Sequence, residues 1–123
     1  MRVEPCDLFK SEGVDSLAKT VQEKHGGADI LVANAGTSLG GSDVLTGNPD
    51  GWDTIVDINL AAPMRLTRLL VPGMVIKGSG AVIFTGSLAG YRPTKTAAYG
   101  ASKYAIKAWA ESCYEVNYLF YSK

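Results

Sequence analysis

Ala28-Asp29-Ile30-Leu31-Val32-Ala33, closed by Asn34-Ala35-Gly36, is a short apolar run that follows two glycines and stops at a polar turn. It reads as a strand buried on both faces, the kind parallel sheets use. Gly80-Ala-Val-Ile-Phe-Thr85 has the same character, and Gly86-Ser87 opens the loop after it. Helical spacing surrounds both runs. Val14, Leu17, Ala18 and Val21 predict a helix from Ser11 to about His25, ended by Gly26-Gly27. A long helix is expected from about Pro49 to Ile76, with Pro49 in its first turn and Pro63 and Pro72 bending or interrupting it. Another, rich in alanine, is expected from Thr96 to about Val116. Residues 2–8 read as a weak strand that Pro5 interrupts. The alternation favours an α/β fold of about three strands and three helices, with a parallel sheet covered by helices. Ligands of open α/β sheets sit at the carboxyl ends of strands, so chemistry is sought in the loops opening at Asp7, Asn34 and Gly86.

Composition narrows the function. The chain has 123 residues, 46% hydrophobic and 20% charged, which suits one globular domain. Lys plus Arg equals Asp plus Glu at 12 each, so net charge gives no reason to expect nucleic acid or an anionic membrane. Leu69-Leu70-Val71 is soon broken by Pro72 and Gly73, and Met1-Arg-Val-Glu-Pro5 lacks the apolar core of a signal peptide. A cytoplasmic protein with no membrane partner is expected. Cys6 and Cys113 lie far apart and His25 is the only histidine, so neither a metal site nor a His-based triad is expected.

Tyr99-Gly-Ala-Ser-Lys103 carries the strongest chemical signal, because residues four apart share a helix face. A free tyrosine has a pKa of about 10, and a nearby ammonium lowers it by favouring the phenolate. The pair then serves as a general acid or base. On spacing alone it is more often what two surface residues give. Ser87 stands at the carboxyl end of the second run, where its hydroxyl could share a substrate oxygen with Tyr99 or simply support a turn. Gly86-Ser-Leu-Ala-Gly90 does not fit the nucleophile elbow of hydrolases. Asn59 falls in the stripe of Trp52, Ile55, Val56 and Leu60, where an amide needs hydrogen-bond partners. It reads as a functional residue or as a structural one near the bend at Pro63. Asn34-Ala-Gly36 lets backbone approach a ligand closely, or is a plain turn. Gly36-Thr-Ser-Leu-Gly40-Gly41 is no Walker loop, since Ser42-Asp43 stands where Lys then Ser or Thr is required.

Together these residues resemble the short-chain dehydrogenase/reductase family. The matched pieces are Cys6-Asp7-Leu8, Asn34-Ala-Gly36, Asn59 in Asp57-Ile-Asn-Leu60, Ser87 in Gly86-Ser-Leu-Ala-Gly90, and Tyr99-x-x-x-Lys103. They stand in family order over about residues 5–115. The resemblance implies a catalytic tetrad of Asn59, Ser87, Tyr99 and Lys103. Tyr99 would be the acid/base, Ser87 would orient the substrate oxygen, and Asn59 would hold a water of the proton relay. Lys103 would lower the tyrosine pKa and bind the nicotinamide ribose. Asp7 is implied near the adenine, and Asn34, Ala35 and Gly36 along the cofactor, with Tyr99 and Lys103 completing its contacts. The implied cofactor is NAD or NADP, and the implied reaction is hydride transfer to or from a small carbonyl or alcohol. A homo-oligomer is implied for the complete form. Ala33 stands where the family often has a second asparagine.

The resemblance also implies a partial domain. The family's opening strand, its pyrophosphate-binding T-G-x-x-x-G-x-G loop and the residue that selects NAD or NADP have no counterpart here, nor does the substrate lobe. Residues 1–115 are family-like and 116–123 read as a divergent tail. In a sheet ordered 3-2-1-4-5-6 the chain supplies strands 3, 4 and 5, so the expected architecture is an incomplete Rossmann-like, doubly wound parallel sheet, truncated at both ends. Strand edges left without neighbours invite pairing with another chain. The alternative to an active oxidoreductase is therefore a non-catalytic fragment that pairs with full-length relatives through the helices at about 49–76 and 96–116.

Overall fold

The computed structural model describes residues 2–39 and 43–121, with side chains through Glu115. Gly40, Gly41 and Ser42 of the glycine-rich loop lie outside the described residues, as do the side chains of the tail from Val116 onward.

Helix α1 (Ser11–His25) forms where the spacing predicts it. Val14 and Ala18 on its inner face are buried, and Leu17 and Val21 pack beside them. Gly26 ends the helix at φ 72°, a left-handed conformation that glycine adopts without steric cost. Its N–H donates to Gln22 O and that of Gly27 to Val21 O, satisfying the last carbonyls.

Strand β1 (Ile30–Ala33) and strand β2 (Ala81–Phe84) pair in parallel, Ile30 opposite Ala81 and Ala33 opposite Phe84. Thr85 N–H continues the ladder onto Ala33 O at 3.0 Å. Between the strands run helix α2 (Pro49–Val56), a π-helical turn (Asp57–Ala61) and helix α3 (Ala62–Lys77). The Asn48 side chain caps α2 by accepting from Asp50 N–H, and Pro49 follows at the first turn. Helix α4 (Ala97–Tyr121) follows β2 after a short 3₁₀ turn (Leu88–Gly90). Among the described residues the sheet has these two strands alone.

The expected bend in the long helix lies one turn before Pro63 and has a specific form. In the π turn Ala62 N–H donates to Asp57 O, five residues back. Pro63 has no N–H to offer Asn59, its α-helical acceptor four residues back. The wider turn buries Ile55 and Asn59 and leaves Val56 exposed, although the sequence placed Val56 in the same stripe. Pro72 is accommodated inside α3.

The strand expected at residues 2–8 does not form. Pro5 lacks a ladder donor, and among the described residues no strand lies beside this segment. Only its end, from Asp7, forms the turn that launches α1. Phe9 N–H donates to Asp7 Oδ1, Lys10 N–H to Asp7 O, and Cys6 Sγ to Gly13 O. A Cβ on Gly13 would lie 2.2 Å from Asp7 O, so the helix start fits this turn only as glycine.

Val14, Ala18, Ala62, Leu66 and Leu70 join α1 to α3 in one core. Helices α3 and α4 rest on the same side of the sheet, against Leu31, Val82 and Phe84, while Ile30, Val32 and Ile83 on the other side are exposed. The α/β class and the parallel pairing of the two apolar runs agree with the sequence. The strand count is two and not three.

Candidate active site

The π turn, the end of β1, the end of β2 and the first turns of α4 meet in one polar cluster. Asn59 is its centre, 2% exposed. Its Oδ1 accepts from Thr37 N–H at 2.7 Å, and its Nδ2 donates to Thr37 O at 2.9 Å and to Ser102 Oγ at 3.0 Å. Both amide protons are thereby used. The Asn59 side chain therefore ties the loop after β1 to helix α4, and Pro63 leaves the Asn59 backbone carbonyl without an α-helical donor.

Lys103 is 5% exposed, although lysine is seldom buried unless paired. Its Nζ donates to Thr85 O at 2.8 Å and lies 5.7 Å from the centroid of the Tyr99 ring. The shared helix face expected of Tyr99 and Lys103 is thus present. An ammonium has three protons, and the single chain acceptor among the described residues is Thr85 O. Two protons remain to be met by ligand or water, since a buried charge left unsatisfied is costly. The half-buried Tyr99 hydroxyl has no hydrogen bond to the chain among the described residues.

Gly36 closes this group from the β1 side. A Cβ built on it would lie 3.3 Å from Asn59 Oδ1 and 3.7 Å from Lys103 Nζ, so its backbone runs directly past both. Asn34 and Ala35 precede it on the exposed end of β1, and Thr85 Oγ1 donates to Asn34 Oδ1 at 2.8 Å. The ends of the two strands are thereby held together beside Lys103.

Ser87 caps the 3₁₀ turn by accepting from Ala89 N–H at 3.2 Å, so its own O–H proton remains available. That turn packs on α4 so closely that a Cβ on Gly90 would lie 2.7 Å from Lys103 O. Among the described residues Ser87 makes no hydrogen bond to Tyr99; packing of its turn, not a direct bond, brings it to the same helix. Asp7 stands apart in the turn before α1, with its carboxylate exposed and Lys10 Nζ 3.9 Å away.

The structure adds three residues that the sequence reading passed over. Thr37 meets Asn59 and Thr85 meets Lys103 through backbone groups, which carry no side-chain signal. Ser102 lies inside the Tyr99-x-x-x-Lys103 motif, and its burial at 2% is what reveals it.

Other chemistry finds less support. The Cys6 and Cys113 thiols are both free, and both are pushed up from the ordinary range, Cys6 by burial and then by the charge of Asp7, Cys113 by burial. Neither is an activated nucleophile. His25 sits in the exposed last turn of α1. A cleft of about 570 Å³ opens between α3, β2 and α4, lined by Val71, Val82, Phe84 and Trp109, and none of Asn59, Ser87, Tyr99 and Lys103 lines it. Among the described residues no helix is long and apolar enough to cross a membrane.

Comparison with known proteins places the family and the fold. Residues 1–116 match the short chain dehydrogenase family, and the chain belongs to that family. It is 34% identical to dehydrogenase/reductase SDR family member 4 of Bos taurus, over 93% of this chain and 44% of the cattle protein. An uncharacterised oxidoreductase of Staphylococcus epidermidis is 35% identical, over 90% of this chain and 48% of that protein. A metagenomic short-chain oxidoreductase solved in complex with NADP superposes with a TM-score of 0.90 at 35% identity, over 97% of this chain and 54% of the other. A short-chain dehydrogenase from Streptomyces avermitilis gives 0.87 at 28% identity, over 95% and 43%. These neighbours are Rossmann folds, so the two-stranded parallel unit is part of such a sheet. The chain spans about half the length of the curated relatives it matches.

Proposed function

We propose that this chain carries the catalytic tetrad of an NAD(P)-dependent oxidoreductase acting on a small carbonyl or alcohol. One observation supports the reading above the others. The Lys103 ammonium is buried beside the Tyr99 ring, with one proton on Thr85 O and two left for a ligand.

The residues fit a nicotinamide ribose on this ground: two unspent donors meet hydroxyl acceptors, and Gly36 brings uncluttered backbone alongside. When bound, NAD(P) supplies or accepts the hydride. The chain does the rest. Tyr99 gives its hydroxyl proton to the substrate oxygen on reduction and takes it back on oxidation. The ammonium of Lys103 stabilises the phenolate formed in between. Ser87 donates its free O–H to the same substrate oxygen and fixes its direction. The phenolate regains its proton by way of the Lys103 ammonium, and a water on the Asn59 carbonyl makes good the proton that Lys103 gives up. Asn34, Ala35 and Gly36 run along the cofactor. The exposed carboxylate of Asp7, with Oδ1 on Phe9 N–H, accepts from the adenine amino group.

A cytoplasmic setting fits the two unbridged thiols, and a complete form is proposed to be a homo-oligomer. The test is NAD(P)H oxidation against a panel of aldehydes and ketones. Wild-type turnover lost in Tyr99→Phe, with NAD(P)H fluorescence binding retained, is expected; a Tyr99→Phe rate equal to wild type overturns the reading.

The exposed sheet face favours a second reading. Ile30, Val32 and Ile83 are 62%, 56% and 53% exposed, whereas parallel strands are ordinarily covered on both faces. A non-catalytic fragment would cover such a surface by pairing with a full-length relative through the sheet, since α3 and α4 lie on its other side. Tight NAD(P)H binding by the purified chain alone sinks that alternative.

A further inference from the structure

We propose that Ser102 is a positioning residue that orients Asn59 against the Tyr99–Lys103 turn; the proposal rests on the oxidoreductase reading above. Ser102 and Asn59 are both 2% exposed, so no solvent competes for their hydrogen bonds. The Ser102 hydroxyl has two duties. It donates to Tyr99 O at 2.7 Å, one turn back on its own helix, and it accepts from Asn59 Nδ2 at 3.0 Å, 43 residues away in sequence.

The consequence is directional. A hydroxyl that donates to a backbone carbonyl has its lone pairs fixed, and a fixed acceptor selects one orientation of the Asn59 amide. That orientation is the one in which Oδ1 receives Thr37 N–H and the second Nδ2 proton reaches Thr37 O. Rotation of the amide by half a turn would set Nδ2 against Thr37 N–H and Oδ1 against Thr37 O, donor facing donor and acceptor facing acceptor. Ser102 thus couples three separate segments: the turn carrying Tyr99 and Lys103, the π turn whose backbone carries the Asn59 carbonyl, and the loop beyond Gly36. The hydroxyl touches none of the reacting atoms and acts through Asn59. Alanine at position 102 keeps the helix and removes the acceptor, leaving one buried Asn59 proton unpaired.

The experiment compares wild type, Ser102→Ala, Ser102→Thr and Ser102→Cys by side-chain amide NMR and by NAD(P)H-dependent turnover. In wild type both Asn59 amide protons exchange slowly. In Ser102→Ala one of them is expected to exchange about tenfold faster or more, the loss expected of a broken buried hydrogen bond. Its kcat falls about tenfold to hundredfold, the scale of a small misplacement of catalytic groups. KM for the carbonyl substrate stays within about threefold, since no substrate contact is removed. Ser102→Thr keeps the hydroxyl and restores both readouts; Ser102→Cys, a weak donor and acceptor, falls between. Unchanged amide exchange or unchanged kcat in folded Ser102→Ala overturns the proposal, as does a threonine or cysteine variant no better than alanine. Wild-type turnover by Tyr99→Phe would remove the oxidoreductase reading alone, and the amide signals would still decide whether Ser102 fixes Asn59.

Discussion

The Lys103 ammonium reaches back from α4 to the carbonyl oxygen of Thr85, 2.8 Å away at the end of β2. This bond holds one proton and aims the other two. Lys103→Met keeps the apolar stem and removes all three donors. NAD(P)H binding should weaken about tenfold or more, the scale of hydrogen bonds to a charged group, and turnover should fall with it. Fluorescence titration and steady-state rates measure the two together. Binding and rate both equal to wild type would remove Lys103 from the site.

Tyr99→Phe isolates the proton. The ring remains 5.7 Å from Lys103 Nζ in the parent geometry, and only a hydroxyl without a chain hydrogen bond is lost. Turnover should fall about a hundredfold to ten-thousandfold, the range for a positioned acid or base. Cofactor affinity and thermal stability should stay near wild type. A simultaneous loss of folding would show the hydroxyl to be structural.

Gly90 links the Ser87 turn to the helix that carries Tyr99 and Lys103. A Cβ there would lie 2.7 Å from Lys103 O and 3.0 Å from Lys103 C, both rigid backbone atoms. Gly90→Ala must therefore push the Leu88–Gly90 turn away from α4. The expected cost is about 1–3 kcal/mol, typical of overpacking, read by denaturant unfolding. Turnover should fall in the folded fraction as well, because Ser87 moves with its turn. Gly86→Ala is the control, since its added Cβ would meet nothing within 4 Å.

Local patterns were legible in the sequence and non-local pairings were not. The α1 boundaries follow from Ser11, the Val14–Ala18 spacing and Gly26, all within one helix. The shared face of Tyr99 and Lys103 follows from helical geometry alone. Residues 2–8 have the pattern of a strand without forming one, because a strand exists only through its neighbours, and none lies beside Pro5 among the described residues. The sequence predicts a bend at Pro63 but not its π form: Pro63 signals a missing donor, and nothing in the letters says that the turn widens to place Asn59 inward. Thr37 meets Asn59 and Thr85 meets Lys103 through backbone atoms, which every residue has. Ser102 was overlooked because serine inside a helix ordinarily bonds its own backbone, and the second partner, Asn59, comes from a distant segment.

Asp15 on α1 and Arg65 on α3 form a two-point hydrogen-bonded ion pair across the main helix contact. The Arg65 hydrogen bond holds the Asp15 carboxyl below the usual carboxylate range; desolvation opposes this, and the Arg65 charge adds to it. A lowered native value stabilises the folded state above the ordinary carboxylate pKa, and that stabilisation is lost as pH falls through the lowered value. Both side chains are nearly half exposed, so the effect is that of a surface pair and screens with salt. Asp15→Asn should therefore melt below wild type at neutral pH, and the two curves should converge as the medium is acidified below about pH 4, where the parent carboxylate itself protonates. Added salt should narrow the neutral-pH gap. A gap of constant size from neutral to acid pH would show that Asp15 acts by shape and not by charge.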